Sequence, residues 1–189
     1  MSAQDSKLFV ISGPSGAGKG TLVTRVRERR SNLGLTVSAT TRAPRKGEVD
    51  GVNYFFLTRE EFDRRVANGE FVEWAEVHGN CYGTLVSEVT SKLASGASLI
   101  LEIDVQGALQ VKERLPEAVL IFIKPPSLEV LRERLVGRGT ETPETIELRM
   151  ANAADELALA DRYDDVVVND DLDRATDELV RVLDMHERI

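Results

Sequence analysis

A short stretch, GPSGAGKGT at positions 13–21, limits the possible folds of this chain more than any other part of it. It follows an apolar run at positions 8–11, and it precedes a segment in which apolar residues recur at helical spacing. A strand, a glycine loop and a helix in this order bring backbone N–H groups and the positive end of a helix dipole to one point. The pattern predicts a phosphate-binding loop in an α/β fold; an ordinary glycine-rich turn is the alternative.

The lysine of this loop is expected to bring a full positive charge to the β- and γ-phosphates of a nucleotide. That residue is Lys19, and Gly20 follows it where a serine or threonine hydroxyl normally contacts Mg²⁺. Thr21 could supply the hydroxyl instead, or the metal could keep more of its water ligands, as Mg²⁺ often does. The loop alone therefore predicts a nucleotide donor but does not identify the acceptor.

The composition excludes several classes of protein. The 189 residues, 42% hydrophobic and 30% charged, fit a globular domain with a sizeable core. We find no recognisable secretory signal and no apolar run of the about 20 residues that a membrane span needs, and Cys81 is the single cysteine. These features predict a cytoplasmic location. The net charge of −8 argues against a nucleic-acid surface, although local arginines could still bind a small phosphorylated ligand.

A basic turn lies in VSATTRAPRKGEVDGVNYFF, at positions 37–56. Arg42 and Arg45 could hold one phosphoryl group between two guanidinium groups, and Tyr54 could add a hydroxyl donor. Taken alone, the turn would more simply be a solvated basic surface. Its meaning therefore depends on the segment that follows.

That segment, GEFVEWAEVHGNCYGT at positions 69–84, predicts a strand and a Gly-Asn turn. Glu73 has apolar and aromatic neighbours, among which an unpaired carboxylate would be costly. Guanine would be a suitable partner because its N1–H and N2 amine point the same way and match both carboxylate oxygens. Adenine has no such pair of donors. Alternatively, Glu73 lies on the solvent face of an edge strand.

The second half of the chain predicts further strands, each followed by a helix. In SLILEIDVQGALQV, Glu102 and Asp104 are two residues apart at a strand end, and so lie on one face. Acids at this place can hold Mg²⁺, or they can simply cap the next helix. A third strand precedes a helix that Ser127 could cap. Beyond it, arginines bracket the Gly/Thr-rich stretch GRGTETPETIELRM, and a final strand leads into an acidic helix.

Several stretches spread over nearly the whole chain resemble the guanylate kinases: SGPSGAGKG, VSATTRAPRKGE, EFVEWAEVHGNCYGT, EIDVQG, GRGTET and VVVNDD. The resemblance implies an α/β P-loop NTPase fold, with a parallel core sheet flanked by helices at 1–36, 86–137 and 150–189. It also implies a small mixed α+β GMP-binding lobe at 37–85 and a helical lid at 138–149. The implied reaction is direct in-line transfer of the γ-phosphoryl group of ATP to GMP, with Mg²⁺ as cofactor.

The resemblance also implies roles for individual residues. The GMP phosphate would be bound by Arg42, Arg45, Tyr54 and Tyr82. The guanine would be bound by Ser38, Glu73 and Thr84, and Glu102 also belongs to the GMP-binding set. The catalytic residues would be Lys19 and the arginines Arg134, Arg138 and Arg149. ATP would be bound by Gly13, Pro14, Ser15, Gly16, Ala17, Gly18, Lys19, Gly20, Thr21 and Asn169. Mg²⁺ would be held by Glu102 and Asp104, through water.

Two other classes of function stay open at this point. Domains related to guanylate kinases can bind peptides without catalysis, but such a domain would be expected to have lost parts of the loop or the lid. Here Lys19, Arg138 and Arg149 are all present. A related kinase could use AMP or a ribose phosphate, but it would have no use for a carboxylate matched to two adjacent donors. We therefore expect ATP and GMP as partners, and no nucleic acid, membrane or obligate protein partner.

Overall fold

The structure is a computed structural model that describes residues 6–77, 79–137, 139 and 142–188. Its strands are β1 (Leu8–Ser12), β2 (Gly34–Leu35), β3 (Ala39–Thr40), β4 (Phe55–Phe56), β5 (Phe71–Val77), β6 (Asn80–Leu85), β7 (Leu99–Glu102), β8 (Val119–Lys124) and β9 (Asp165–Val168). Its α-helices are α1 (Lys19–Arg29), α2 (Arg59–Ala67), α3 (Val86–Ala94), α4 (Val105–Arg114), α5 (Leu128–Gly137), α6 (Pro143–Leu157) and α7 (Leu172–Glu187). A short 3₁₀ helix (Ala160–Arg162) precedes β9.

A five-stranded parallel sheet forms the centre of the molecule, in the order β2-β7-β1-β8-β9. Successive residues of β1 enter two different cores, because side chains alternate along a strand. Phe9 and Ile11 belong to the cluster that includes residues of α1 and α7, whereas Leu8 and Val10 pack with residues of α3 and α4. Helices therefore cover both faces, which explains why the strand is an unbroken apolar run. The predicted α/β fold with a parallel core sheet is confirmed.

A smaller mixed sheet lies beside the first, in the order β4-β3-β6-β5. Strands β5 and β6 form an antiparallel hairpin, and β3 pairs antiparallel with β6 and parallel with β4. Phe62 of α2 stacks on Phe71 of β5 at a ring distance of 4.4 Å, in a cluster that also buries Cys81. All four strands fall within positions 37–85, the range for which the sequence predicts a separate lobe.

Helix α6 runs without interruption through position 149, where the predicted lid ends. Thr142 is the N-cap of this helix, and its hydroxyl accepts from the Thr145 N–H. Pro143 is the first residue of the helix, a position that favours proline. Ser127 caps α5 as expected, because its hydroxyl accepts from the Val130 N–H at 3.2 Å. Over the residues that the structure describes, no helix combines the length and the apolar character needed to cross a membrane.

Candidate active site

The glycine loop joins the end of β1 to the start of α1 and packs tightly against the ends of two other strands. Gly13 has a φ of 138°, and a Cβ atom there would lie 2.2 Å from the carbonyl oxygen of Ile123 in β8. Gly18 has a φ of 91°, and its Cβ would lie 2.4 Å from Nδ2 of Asn169, just beyond β9. Both positions therefore require glycine, because any side chain would collide and would strain the backbone.

Lys19 is the first residue of α1, and its side chain lies across the loop. Its Nζ donates to the carbonyl oxygens of Gly13 at 2.5 Å and Pro14 at 3.1 Å. Lys19 also lines a cavity of about 350 Å³ next to the loop. The cavity is lined by Ser15, Gly16, Gly18, Lys19, Gly20, Thr21 and Glu102. A glycine loop, a lysine and a helix N-terminus around one cavity form a site suited to phosphate groups.

Glu102, at the end of β7, lies next to the position where the usual hydroxyl is missing. A Cβ atom at Gly20 would be only 3.5 Å and 3.7 Å from the two carboxylate oxygens of Glu102. Desolvation raises the pKa of Glu102, and the nearby charge of Lys19 lowers it. The carboxylate thus places oxygen ligands beside the loop at the point where Gly20 supplies none.

Asp104 performs the capping role that the sequence left as an alternative. Its Oδ1 accepts from the Gly107 N–H at 2.8 Å and so caps α4. Among the residues described, no group of three or more His, Cys, Asp or Glu side chains could hold a metal ion by itself. A metal at this edge would therefore need ligands from a bound phosphate and from water as well as from protein.

A second polar site lies between β5 and β6, where Glu73 is opposite Thr84. Glu73 is 7% exposed, and its Oε1 accepts from the Thr84 hydroxyl at 2.7 Å. Burial, together with the charge of Asp104, raises the pKa of Glu73 to about 7, although the Thr84 hydrogen bond opposes the shift. The neighbouring Trp74 faces outward instead, at 37% exposure, so Glu73 does not lie on the solvent face. Ser38 lies directly before β3 of the same sheet.

The basic turn brings Arg42, Tyr54 and Tyr82 together. The guanidinium carbon of Arg42 lies 5.3 Å from the Tyr54 ring centre, and the two tyrosine rings are 6.3 Å apart, edge to face. Glu48 orients this group, because its Oε1 accepts from Arg42 Nη2 at 2.8 Å and its Oε2 accepts from the Arg45 N–H at 2.6 Å. These bonds lower the pKa of Glu48. Glu48 therefore holds the Arg42 side chain next to the two tyrosines, whereas the Arg45 side chain is exposed to solvent.

Arg149 reaches the glycine loop from α6, where its guanidinium donates to the hydroxyl of Ser15. Of the three arginines predicted to act in catalysis, Arg138 lies outside the described residues, so only the other two can be located. Arg149 therefore contacts the glycine loop directly, at Ser15.

Arg134 lies on α5 and contacts the other side of the loop. Its Nη2 donates to the carbonyl oxygen of Asn169 at 2.8 Å, and Asn169 Nδ2 donates to the Ala17 carbonyl at 2.8 Å. A second cavity, of about 380 Å³, opens here. It is lined by Gly16, Gly18, Thr21, Arg134, Asn169, Asp170 and Leu172. Asn169 thus braces the loop as well as facing a cavity next to it.

Comparison with known proteins identifies the family. The family model described as "Guanylate kinase" matches residues 5–186 of this chain. The chain belongs to the guanylate kinase family. A curated guanylate kinase from Gloeobacter violaceus is 56% identical over 178 residues, which cover 94% of this chain and 87% of the relative. One from Halalkalibacterium halodurans is 51% identical over 183 residues, covering 97% and 90% of the two chains.

A solved guanylate kinase supports the same fold. The crystal structure of guanylate kinase from Anaplasma phagocytophilum superposes with a TM-score of 0.72 at 37% identity, and the match covers 96% of this chain and 86% of that one. The predicted P-loop NTPase fold is therefore confirmed. The family assignment also agrees with the geometry, because the phosphate-binding loop and the buried carboxylate site occur in one molecule.

Sequence reasoning missed two acidic residues of this guanylate kinase site. Glu48 had a local signal, since it follows directly on the basic turn. Glu156 on α6 is half-buried; desolvation raises its pKa, the charge of Lys19 lowers it and that of Asp104 raises it, so its charge interacts with the loop lysine. The sequence could have indicated Glu156 through its spacing, because it follows Arg149 by seven residues and such residues share one face of a helix.

Proposed function

We propose that this chain is a guanylate kinase enzyme that transfers the γ-phosphoryl group of ATP to GMP, giving ADP and GDP. The observation that carries the proposal is the buried pair of Glu73 and Thr84, in a chain that also has a glycine loop and Lys19. A buried carboxylate is kept in a protein only where a partner or a function compensates its cost. A base with two adjacent N–H donors provides such a partner.

In the acceptor site, Glu73 accepts from guanine N1–H and the N2 amine, while Thr84 and Ser38 supply hydroxyls to the base. The arginines and tyrosines of the basic turn bind the GMP phosphate: Arg42, Arg45, Tyr54 and Tyr82. The carboxylate of Glu48 supports this assignment, because it holds the Arg42 side chain next to the Tyr54 ring without a bound ligand. A guanidinium group that is already oriented loses less conformational entropy on binding.

In the donor site, the glycine loop and Lys19 bind the β- and γ-phosphates of ATP, and Asn169 lies near the adenine. The arginines act on the charge of the transferring group, Arg149 beside Ser15 and Arg134 from the opposite side of the loop, with Arg138 as the third. Transfer between two nucleotides depends mainly on positioning and charge stabilisation, so no covalent intermediate is needed.

We propose Mg²⁺ as the cofactor, with Glu102 as the protein group nearest to it and Asp104 acting through water. The fit rests on the Glu102 carboxylate, which lies beside Gly20 and offers the hard oxygen ligands that Mg²⁺ prefers. When bound, the ion neutralises charge on the phosphates of the donor. The chain's own part is to hold that carboxylate next to the loop.

We further propose that the mixed-sheet region, 37–85, acts as the GMP-binding lobe and 138–149 as the lid, with the remainder of the chain as the core. The substrates are the small molecules ATP and GMP, without a nucleic-acid, membrane or obligate protein partner. A single buried thiol, Cys81, suits a reducing compartment, and we propose a cytoplasmic location.

The experiment that tests this function compares acceptors in a coupled assay of ADP release with ATP and Mg²⁺. GMP, AMP, CMP and UMP are each supplied at the same concentration. We expect turnover with GMP alone, because only guanine presents two adjacent donors to Glu73. Equal turnover with AMP would overturn the acceptor site but keep the kinase. Folded protein without turnover on any acceptor would instead favour the peptide-binding class.

The raised pKa of Glu73 predicts that GMP use depends on pH. With the pKa raised to about 7, most of the carboxyl is protonated near pH 6 and ionised near pH 8. Since only the ionised form can accept two N–H donors, the KM for GMP should be about tenfold higher at pH 6 than at pH 8. The GMP phosphate also titrates near pH 6, so E73Q serves as the matched control. An equally steep profile in E73Q would contradict the prediction.

A further inference from the structure

Strand β5 is an edge strand of the mixed sheet, and helix α4, which packs on the central sheet, contacts its outer edge. Gln110 makes the central contact. Its Oε1 accepts from the Trp74 N–H at 3.2 Å, and its Nε2 lies 3.4 Å from the Trp74 carbonyl oxygen, to which it donates. One side-chain amide thus pairs with both backbone groups of the residue after Glu73, as a neighbouring strand would do.

Two further contacts of α4 flank this pair, at a spacing of about one helical turn each. Gly107 lies one turn earlier, and a Cβ atom there would be 3.4 Å from Oε2 of Glu73, so the carboxylate lies against bare helix backbone. Arg114 lies one turn later, and its Nη1 donates to the Phe71 carbonyl oxygen. One face of α4 therefore follows β5 along the part of the strand that carries Glu73.

We propose that Gln110 is a positioning residue for guanine, acting through Glu73. This inference rests on the proposed function, in which Glu73 binds the base. The two hydrogen bonds hold the two successive peptide units on either side of the Trp74 Cα, one through its N–H and the other through its carbonyl oxygen, so they fix the backbone directly after Glu73. The Thr84 hydroxyl holds Glu73 from the β6 side, and Gln110 holds the strand from the α4 side. The carboxylate is thereby fixed between the two.

The same helix connects the base site to the donor site. Helix α4 begins after Asp104, two residues beyond Glu102, which ends β7 beside the glycine loop. A rigid helix attached to both places sets the distance between the bound base and the phosphate-binding loop. In-line transfer is sensitive to that distance, because small displacements of reacting groups are costly.

The test replaces Gln110 with leucine, which has a similar size but no hydrogen-bonding group. We expect the KM for GMP to rise about tenfold, from two lost hydrogen bonds, while the KM for ATP stays unchanged. The preference for GMP over IMP, which lacks the N2 amine, should fall as well, because a displaced carboxylate no longer holds both donors.

The control lies on another face of the same helix. Lys112 donates to the Ala118 carbonyl oxygen at 2.8 Å and to Asp164 Oδ2 at 2.9 Å, away from β5. K112M removes a comparable number of bonds, so it should lower the melting temperature without changing the preference for GMP over IMP. A purely structural role of Gln110 would give Q110L the same behaviour as K112M, and that result would overturn the inference.

A double-mutant cycle shows whether Gln110 acts through Glu73. In the E73Q background, Q110L should raise the KM for GMP no further, since the positioned group is gone. An undiminished effect of Q110L in that background would overturn the inference. The two proposals can be distinguished by their failures. If E73Q impairs GMP kinetics but Q110L does not, only the positioning role of Gln110 is wrong. If GMP kinetics are unchanged in E73Q itself, Glu73 does not bind guanine, and the positioning role of Gln110 fails as well.

Discussion

K19M should reduce the turnover number about a thousandfold while the KM for GMP stays near that of the wild type. Methionine keeps the length of the side chain but removes the charge that Lys19 brings to the donor phosphates. Most of the loss should appear in kcat, because charge builds up on the transferring group mainly in the transition state. Apart from Glu102, the groups proposed to bind GMP lie in the region of the other sheet, so GMP binding should be little affected. Steady-state ADP release measures both constants.

The fold should survive this change. Lys19 loses two hydrogen bonds to loop carbonyls, those of Gly13 and Pro14, at a cost of about 1 kcal/mol for each bond. The matched control is K92M in α3, because Lys92 also donates to a backbone carbonyl, that of Leu35 at 2.8 Å. K92M should leave turnover near the wild-type value. If K19M also turned over at nearly the wild-type rate, the glycine loop would not be the donor site.

The parts that the sequence predicted well are those that local patterns determine. The unbroken apolar run of β1, the glycine loop and the start of α1 are adjacent in the chain, so their order alone indicates a phosphate-binding site. The absence of a hydroxyl at Gly20 was visible too, and so was Glu102 as an acid at the end of a strand, but their position next to each other was not. Glu102 comes beside Gly20 only because β7 pairs with β1 in the folded sheet.

The side that Glu73 faces could not be predicted from the sequence. Alternation along β5 separates Glu73 from Trp74, and burial of the tryptophan would be the simpler expectation. The structure has the opposite arrangement, and a bulge between Phe71 and Glu73 shifts the register of this strand against β6. A shift of one residue reverses the faces of a strand, so alternation alone cannot decide which side chain is buried.

Gln110 gave no sequence signal, and Glu156 gave only its spacing from Arg149, for a related reason. Each lies on a helix whose pattern is explained by its apolar face, and a polar residue on the other face usually contacts only solvent. Their partners belong to distant segments, the backbone of Trp74 for Gln110 and the charge of Lys19 for Glu156. Only the fold shows which distant groups interact with these two side chains.

E73Q should lower kcat/KM for GMP by about four orders of magnitude, because it changes the hydrogen-bonding character of the base site without changing its shape. The amide oxygen can still accept from Thr84, whose hydroxyl lies 2.7 Å from Oε1. The amide nitrogen then faces the N–H donors of guanine, so two donors meet and one remains unpaired. The KM for ATP should not change, since the donor site keeps all of its groups.

The E73Q variant should keep or gain thermal stability although it loses activity. Burial raises the pKa of Glu73 to about 7, which means that the ionised carboxylate is costly in the free protein near neutral pH. A neutral amide avoids that cost, so E73Q should melt at the same temperature as the wild type or higher. The matched control is E76Q on the same strand, because Glu76 is exposed and pairs with Arg59. E76Q should keep wild-type GMP kinetics, and E73Q behaving like E76Q would remove Glu73 from base recognition.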